Sequence, residues 1–173
     1  MQDLLFSPNG RIGKALFLKG ILYVAAAYAL FYVITYFISS LAFITSILGI
    51  LLFVPFIFLF IKRSHDGGKS GWLSLLWLFV WALIVLVFYM VGAVLLEGAL
   101  LQEYFGLIME AAAEGDVQAQ NEIKQIYGEK LRKAIGVKLV PFGFIATMTS
   151  AYLINAIVGA DAYENQYGPV PRA

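Results

Sequence analysis

The chain has no cysteine among its 173 residues, so disulfides, thiolate catalysis and cysteine-held metals are excluded. It has one histidine, His65, too few for a histidine metal cluster. Charge is scarce too. Only 13% of residues are Asp, Glu, Lys or Arg, while 61% are hydrophobic. A soluble domain carries about 25% charged residues, so water is not the main solvent of this chain. The net charge is +1, a balance that argues against nucleic acid as a partner. No cofactor is expected.

What remains is long uncharged runs. Gly20 to Ile61 contains no charged residue. As one helix it would extend about 63 Å, twice a hydrocarbon core of about 30 Å. It must therefore turn back, and Ser39-Ser40 is the polar pair near its middle. This gives spans from about Gly20 to Ile38 and from Leu41 to Ile61, the second interrupted by Pro55. Trp72 to Leu96 forms a third uncharged span, ended by Glu97, and Val137 to Val158 a fourth. The first nineteen residues include Asp3, Pro8 and Gly10, and the apolar stretch after them is far longer than the apolar region of a cleaved leader, so the N-terminus is read as retained.

The expected fold is an all-α polytopic membrane protein: four transmembrane helices with an extramembrane helical hairpin between helices 3 and 4. Three segments follow. Residues 1–96 hold the N-terminal stretch and three spans, 97–136 form a polar insertion, and 137–173 hold the fourth span and tail. Within the insertion, helical periodicity flanks Gly115-Asp116, and Asp116 is placed to cap the second helix. On the fourth span Gly143, Thr147, Ala151 and Asn155 recur every four residues, a small-residue face suited to close helix contact. Tyr28, Tyr32 and Tyr36 share the same spacing on the first, where interhelical hydrogen bonding is expected ahead of a polar pathway.

Orientation follows the Lys and Arg count. Arg11, Lys14, Lys19, Lys62, Arg63, Lys69 and Arg172 fall on one side. Lys124, Lys130, Arg132, Lys133 and Lys138 fall on the other. The first set is expected in the cytoplasm, together with both termini.

That face gathers three polar segments: 6–14, 62–72 and 165–171. They resemble a bacterial inner-membrane family, domain of unknown function 805. Its pattern is G-R-x-x-R-x-x-F-W, then R-R-L-H-D-x-x-x-S-G-W-W, then N-x-Y-G-x-D-P. The chain matches at Gly10, Arg11 and Phe17, at Arg63, His65, Asp66, Ser70, Gly71 and Trp72, and at Asn165, Tyr167, Gly168 and Pro171. It departs at Lys14, Leu18, Ser64, Leu73 and Val170. The resemblance implies a bacterial inner membrane and assigns no activity.

The candidate binding residues are Arg11, Arg63, His65, Asp66, Lys69, Trp72, Asn165 and Tyr167; no catalytic or metal site is expected. His65-Asp66 has no second carboxylate nearby in sequence to complete an acid–base pair. Asp66-Gly67-Gly68 is a turn signal. Gly67-Gly68-Lys69-Ser70 lacks the first glycine and the preceding strand of a phosphate loop. Arg63, Asp66 and Arg11 are expected to form one ionic cluster, in which exchanging the charges of residues 63 and 66 would restore part of any lost stability. The expected function is a non-enzymatic binding or scaffold protein that engages lipid headgroups or a protein partner through this face, with a homo-oligomer as a further partner. The alternative is a transporter or channel subunit, and third a lipid-directed membrane enzyme using Asp66 and His65.

Overall fold

The computed structural model describes residues 7–171. Arg172, one of the cations of the motif-bearing face, lies outside them. The described residues are helical apart from loops and one isolated bridge between Asn165 and Gly168.

Helix α1 spans Lys14–Phe37, and a 3-10 turn at Ser39–Leu41 reverses the chain. Helix α2 (Ala42–Asp66) returns and continues through Pro55. Helix α3 spans Leu73–Ala113, α4 spans Val117–Ile135, and α5 spans Val140–Ile157 after a short 3-10 turn at Val137–Leu139. Four of these segments are long and apolar enough to cross a membrane: α1, α3, α2 with the turn before it, and α5 with its own. The reversal at Ser39-Ser40 is where the chain-length argument requires it.

Glu97, expected to end the third span, does not end its helix. Its backbone leaves the helical region (φ −148°, ψ 47°), yet helix resumes and runs to Ala113. At 1.5 Å per residue, 41 residues reach about 61 Å, so α3 projects beyond any hydrocarbon core. The first arm of the insertion is thus the extension of the third span. Lys138, at the start of the fourth, pairs with Glu97 at 3.5 Å, tying the base of the insertion to the bundle.

The hairpin closes as Gly115 takes φ +72°. The amides of Gly115 and Asp116 satisfy the carbonyls of Ala112 and Ala111, and Asp116 then accepts from the Ala119 amide at 2.8 Å. One residue therefore helps end the first helix and caps the second. Tyr127 is buried in the hairpin and donates to Glu103 across it. That bond, with partial burial, raises the Tyr127 phenol above its ordinary value.

Within the bundle α1 packs on α2 and α5, and α3 packs on α5, α4 and α2. The small-residue face of α5 meets two partners. Toward α3, a Cβ on Gly143 would collide with the Tyr89 hydroxyl, and Trp81 donates to the Thr147 hydroxyl at 3.2 Å. Toward the motif-bearing end, Ala151 and Asn155 are buried. Replacing Gly143 or Ala151 by leucine is expected to destabilise the bundle by about 1–3 kcal/mol through overpacking. Thermal unfolding in detergent unchanged by both replacements would show that no close helix contact exists there.

Candidate functional site

Helix α2 ends by a mechanism its sequence makes readable. Gly68 adopts φ +67°, a conformation glycine enters without the Cβ penalty. Its amide bonds to the His65 carbonyl at 3.0 Å, and the Lys69 amide bonds to that of Ser64 at 3.0 Å. This paired arrangement satisfies carbonyls the helix would leave orphaned. Gly67 has a different reason: a Cβ there would sit 2.9 Å from the Gly159 carbonyl oxygen. The loop can therefore lie flat against the end of α5.

Arg63 occupies that junction with no exposed surface. Its Nε donates to Asn155 Oδ1 at 2.6 Å. Nη1 donates to Asp66 Oδ2 at 2.8 Å and to the Gly159 carbonyl at 3.1 Å. Nη2 donates to the carbonyls of Asn155 and Val158. All five guanidinium donors are used. Three acceptors are carbonyls at the C-terminal end of α5, where the helix dipole favours a cation. Arg63 is thus an ion-pair partner and a cap for another helix at once.

Asp66 is equally enclosed, its carboxylate shared between two arginines. Oδ2 serves Arg63, while Oδ1 accepts from Arg11 Nη2 at 3.1 Å. Arg11 Nε adds a second bond to Oδ1 at 3.3 Å, while Nη1 and Nη2 reach the tail: the carbonyls of Asp161 and Tyr163, both at 2.8 Å, and Gly168 at 3.4 Å. The expected cluster of Arg11, Arg63 and Asp66 is present, and it joins three parts of the chain. In the tail, Asn165 Nδ2 donates to the His65 carbonyl at 3.0 Å and to Asp161 Oδ2 at 2.8 Å. Its Oδ1 accepts from the Tyr167 amide at 3.0 Å. The Tyr167 ring stacks on His65 with centroids 3.8 Å apart and planes inclined by 4°. His65 Nδ1 lies 3.1 Å from the Gly10 carbonyl, so that nitrogen carries the hydrogen.

Six of the eight candidates therefore meet: Arg11, Arg63, His65, Asp66, Asn165 and Tyr167. Lys69 and Trp72 do not. The turn at Gly68 directs the chain outward, leaving Lys69 exposed and Trp72 80% exposed. Two participants were missed. Asn155 reads in sequence as part of a face whose hydroxyl and amide groups bond across helices, with no sign that its partner is Arg63. Asp161, 95 residues further along the chain than Asp66, supplies a second carboxylate beside the loop. Its position four residues before Asn165 was the only hint.

The two halves of the bundle differ in packing. Toward the cluster, Phe17, Ile21, Phe56, Leu59, Phe60, Ala151 and Ile154 form a continuous core. Phe60 meets Phe17 and Phe56 edge-on, with centroids 5.4 and 5.0 Å apart. Toward the Ser39 turn lies a cavity of about 500 Å³, bounded by all four spans and lined by no charged side chain.

No curated protein and no solved structure is significantly similar to this chain. The family described as protein of unknown function (DUF805) matches residues 5–169, from before the Arg11 segment to past Tyr167 and through the hairpin. The three segments that build the cluster all fall within that match, and the chain belongs to this family.

Proposed function

We propose that this is a non-enzymatic binding or scaffold protein of the bacterial inner membrane, one that engages lipid headgroups or a protein partner through its motif-bearing face. The observation that carries the reading is how that face divides its polar groups. Arg11, Arg63 and Asp66 spend their hydrogen bonds inside the protein and fix the loop and tail. Lys69 and Trp72 stay outside, with Lys14 and Lys19 also exposed at the start of α1. Exposed cations beside an amphipathic aromatic suit an anionic headgroup layer. The buried cluster is the frame and the loop tip is the contact.

The orientation belongs to the same proposal. Lys14, Lys19, Arg11, Lys62, Arg63 and Lys69 gather where α1 begins and α2 ends, which favours that side as cytoplasmic, with both termini. Reporter fusions at Ala173, Gly68 and Gln120 test it. Gly68 and Ala173 are expected to report the cytoplasm and Gln120 the opposite compartment; Gly68 and Gln120 on one side would defeat the four-span topology.

The transporter reading receives less support. The core beside the cluster is closed, and the cavity beyond it offers no charge to an ion or polar solute. Lys69→Glu combined with Trp72→Ala is the functional test. The double variant is expected to retain its melting temperature but to lose co-purifying phosphatidylglycerol relative to phosphatidylethanolamine. An unchanged lipid ratio would remove the loop tip as a headgroup contact and leave only a partner role, read by cross-linking from residue 69.

A further inference from the structure

We infer that the cavity between the four spans is an acyl-chain site, filled by one chain of a membrane lipid from the leaflet on the Ser39 side, with its ester carbonyl accepting hydrogen bonds from Tyr32 and Tyr89. This site is separate from the motif-bearing face and does not depend on it.

Size is the first argument. A volume of about 500 Å³ equals roughly seventeen waters at about 30 Å³ each. A methylene is slightly smaller than a water, so one long hydrocarbon chain fits and a whole phospholipid does not. The lining is the second argument. At the deep end Phe56, Trp81 and Val24 offer apolar surface, and no charged residue lines any part of it. At that end water would find little beyond the Thr147 hydroxyl, which already accepts from Trp81, so hydrocarbon is the favoured filling there.

Unused polar groups give the third. Among the hydroxyls lining the cavity, Tyr28 donates to the Gly49 carbonyl at 2.7 Å, the Thr35 and Thr45 hydroxyls bond to each other, and Thr147 accepts from Trp81. Tyr32 and Tyr89 have no hydrogen-bond partner among the described residues. Both line the cavity and are 46% and 38% exposed, with the Tyr89 hydroxyl lying against Gly143 of α5. A phenol facing hydrocarbon without an acceptor is costly, and a neutral carbonyl supplies the acceptor without burying charge.

Depth agrees. Tyr32 lies five residues before the end of α1, about 7.5 Å at 1.5 Å per residue. The whole helix is about 36 Å long against a core of about 30 Å. Tyr32 therefore lies less than about 8 Å inside the hydrocarbon boundary, within reach of a lipid ester drawn slightly inward, and the cavity continues from there toward the midplane.

Trp81 reports on occupancy from inside. With Trp72 and Trp77 replaced by phenylalanine, it is the sole tryptophan. The full chain is placed in nanodiscs of phosphatidylcholine brominated in mid-chain, and in nanodiscs of the ether-linked analogue with the same chains. Strong quenching of Trp81 is expected in the ester lipid. It should be lost when Ala29→Phe or Val85→Phe fills the cavity from opposite helices, each variant being used only if its melting temperature is kept. Tyr32→Phe with Tyr89→Phe should lower quenching in the ester lipid to the ether-lipid level. Quenching that neither filling variant reduces would overturn the site. Equal quenching by ester and ether lipids would overturn the carbonyl contact, and a non-lipid molecule retained in native mass spectrometry would overturn the identity of the occupant.

Discussion

Arg63→Ala is expected to destabilise the protein by about 3–5 kcal/mol, the cost of removing one partner from a buried ion pair. The melting temperature in detergent should fall accordingly, and expression with it. The loss has two sources. Asp66 keeps a carboxylate oxygen with no counterpart, and the carbonyls of Asn155, Val158 and Gly159 lose their donors. Asp66→Ala should cost a similar amount, because two enclosed guanidinium groups would face each other across an empty position. Lys69→Ala should change neither quantity, since Lys69 lies outside the cluster. If Arg63→Ala and Lys69→Ala melt alike, the cluster contributes nothing to the fold.

The geometry also revises one expectation drawn from charge alone. Exchanging Arg63 for aspartate and Asp66 for arginine preserves opposite charges, and a simple pair would then recover. Here four of the five Arg63 donors serve groups other than Asp66. An aspartate at 63 would turn acceptors toward acceptors at the end of α5. The exchanged protein is therefore expected to be no more stable than Arg63→Ala, and recovery would show that the carbonyl contacts carry little weight.

What sequence reveals about this chain follows from which physical signals are local. Hydrocarbon thickness and helical rise fix how many times an uncharged run of known length must cross, and so require the reversal at Ser39-Ser40. Asp116 is legible because a cap acts three residues away, on the Ala119 amide. The end of α2 is legible for the same reason, through glycine at 68. The course of α3 is not. Glu97 marks where the chain leaves hydrocarbon, and leaving hydrocarbon does not require a helix to stop. Long-range pairing is the other obscure layer. Arg63 and Asn155 are 92 residues apart, and nothing local to either residue names the other. Motif membership also fails to separate roles, since Asp66 and Trp72 belong to one segment while one is buried and the other exposed. The difference arises at a single backbone conformation between them.

Arg11 provides the contrast with Arg63 that separates fastening from folding. Its side chain is as enclosed as that of Arg63, but its partners are Asp66 and three tail carbonyls rather than the end of a span. Arg11→Ala should therefore free the tail while the bundle persists, because Asp66 retains Arg63. Hydrogen exchange across residues 159–171 is expected to accelerate toward the unprotected rate, with little change in α1, α2 and α5, since local opening draws only on local contacts. The Asn165 and Tyr167 contacts to residue 65 should loosen together with it. Arg11→Lys is expected to restore only part of the protection: an ammonium has three donors and no planar fork, too few to hold a carboxylate and three carbonyls at once. Tail protection unchanged in Arg11→Ala would mean that the His65–Tyr167 stack and Asn165 hold the tail alone. Exchange that accelerates equally in all four spans would mean that Arg11, like Arg63, is part of what keeps the helices together.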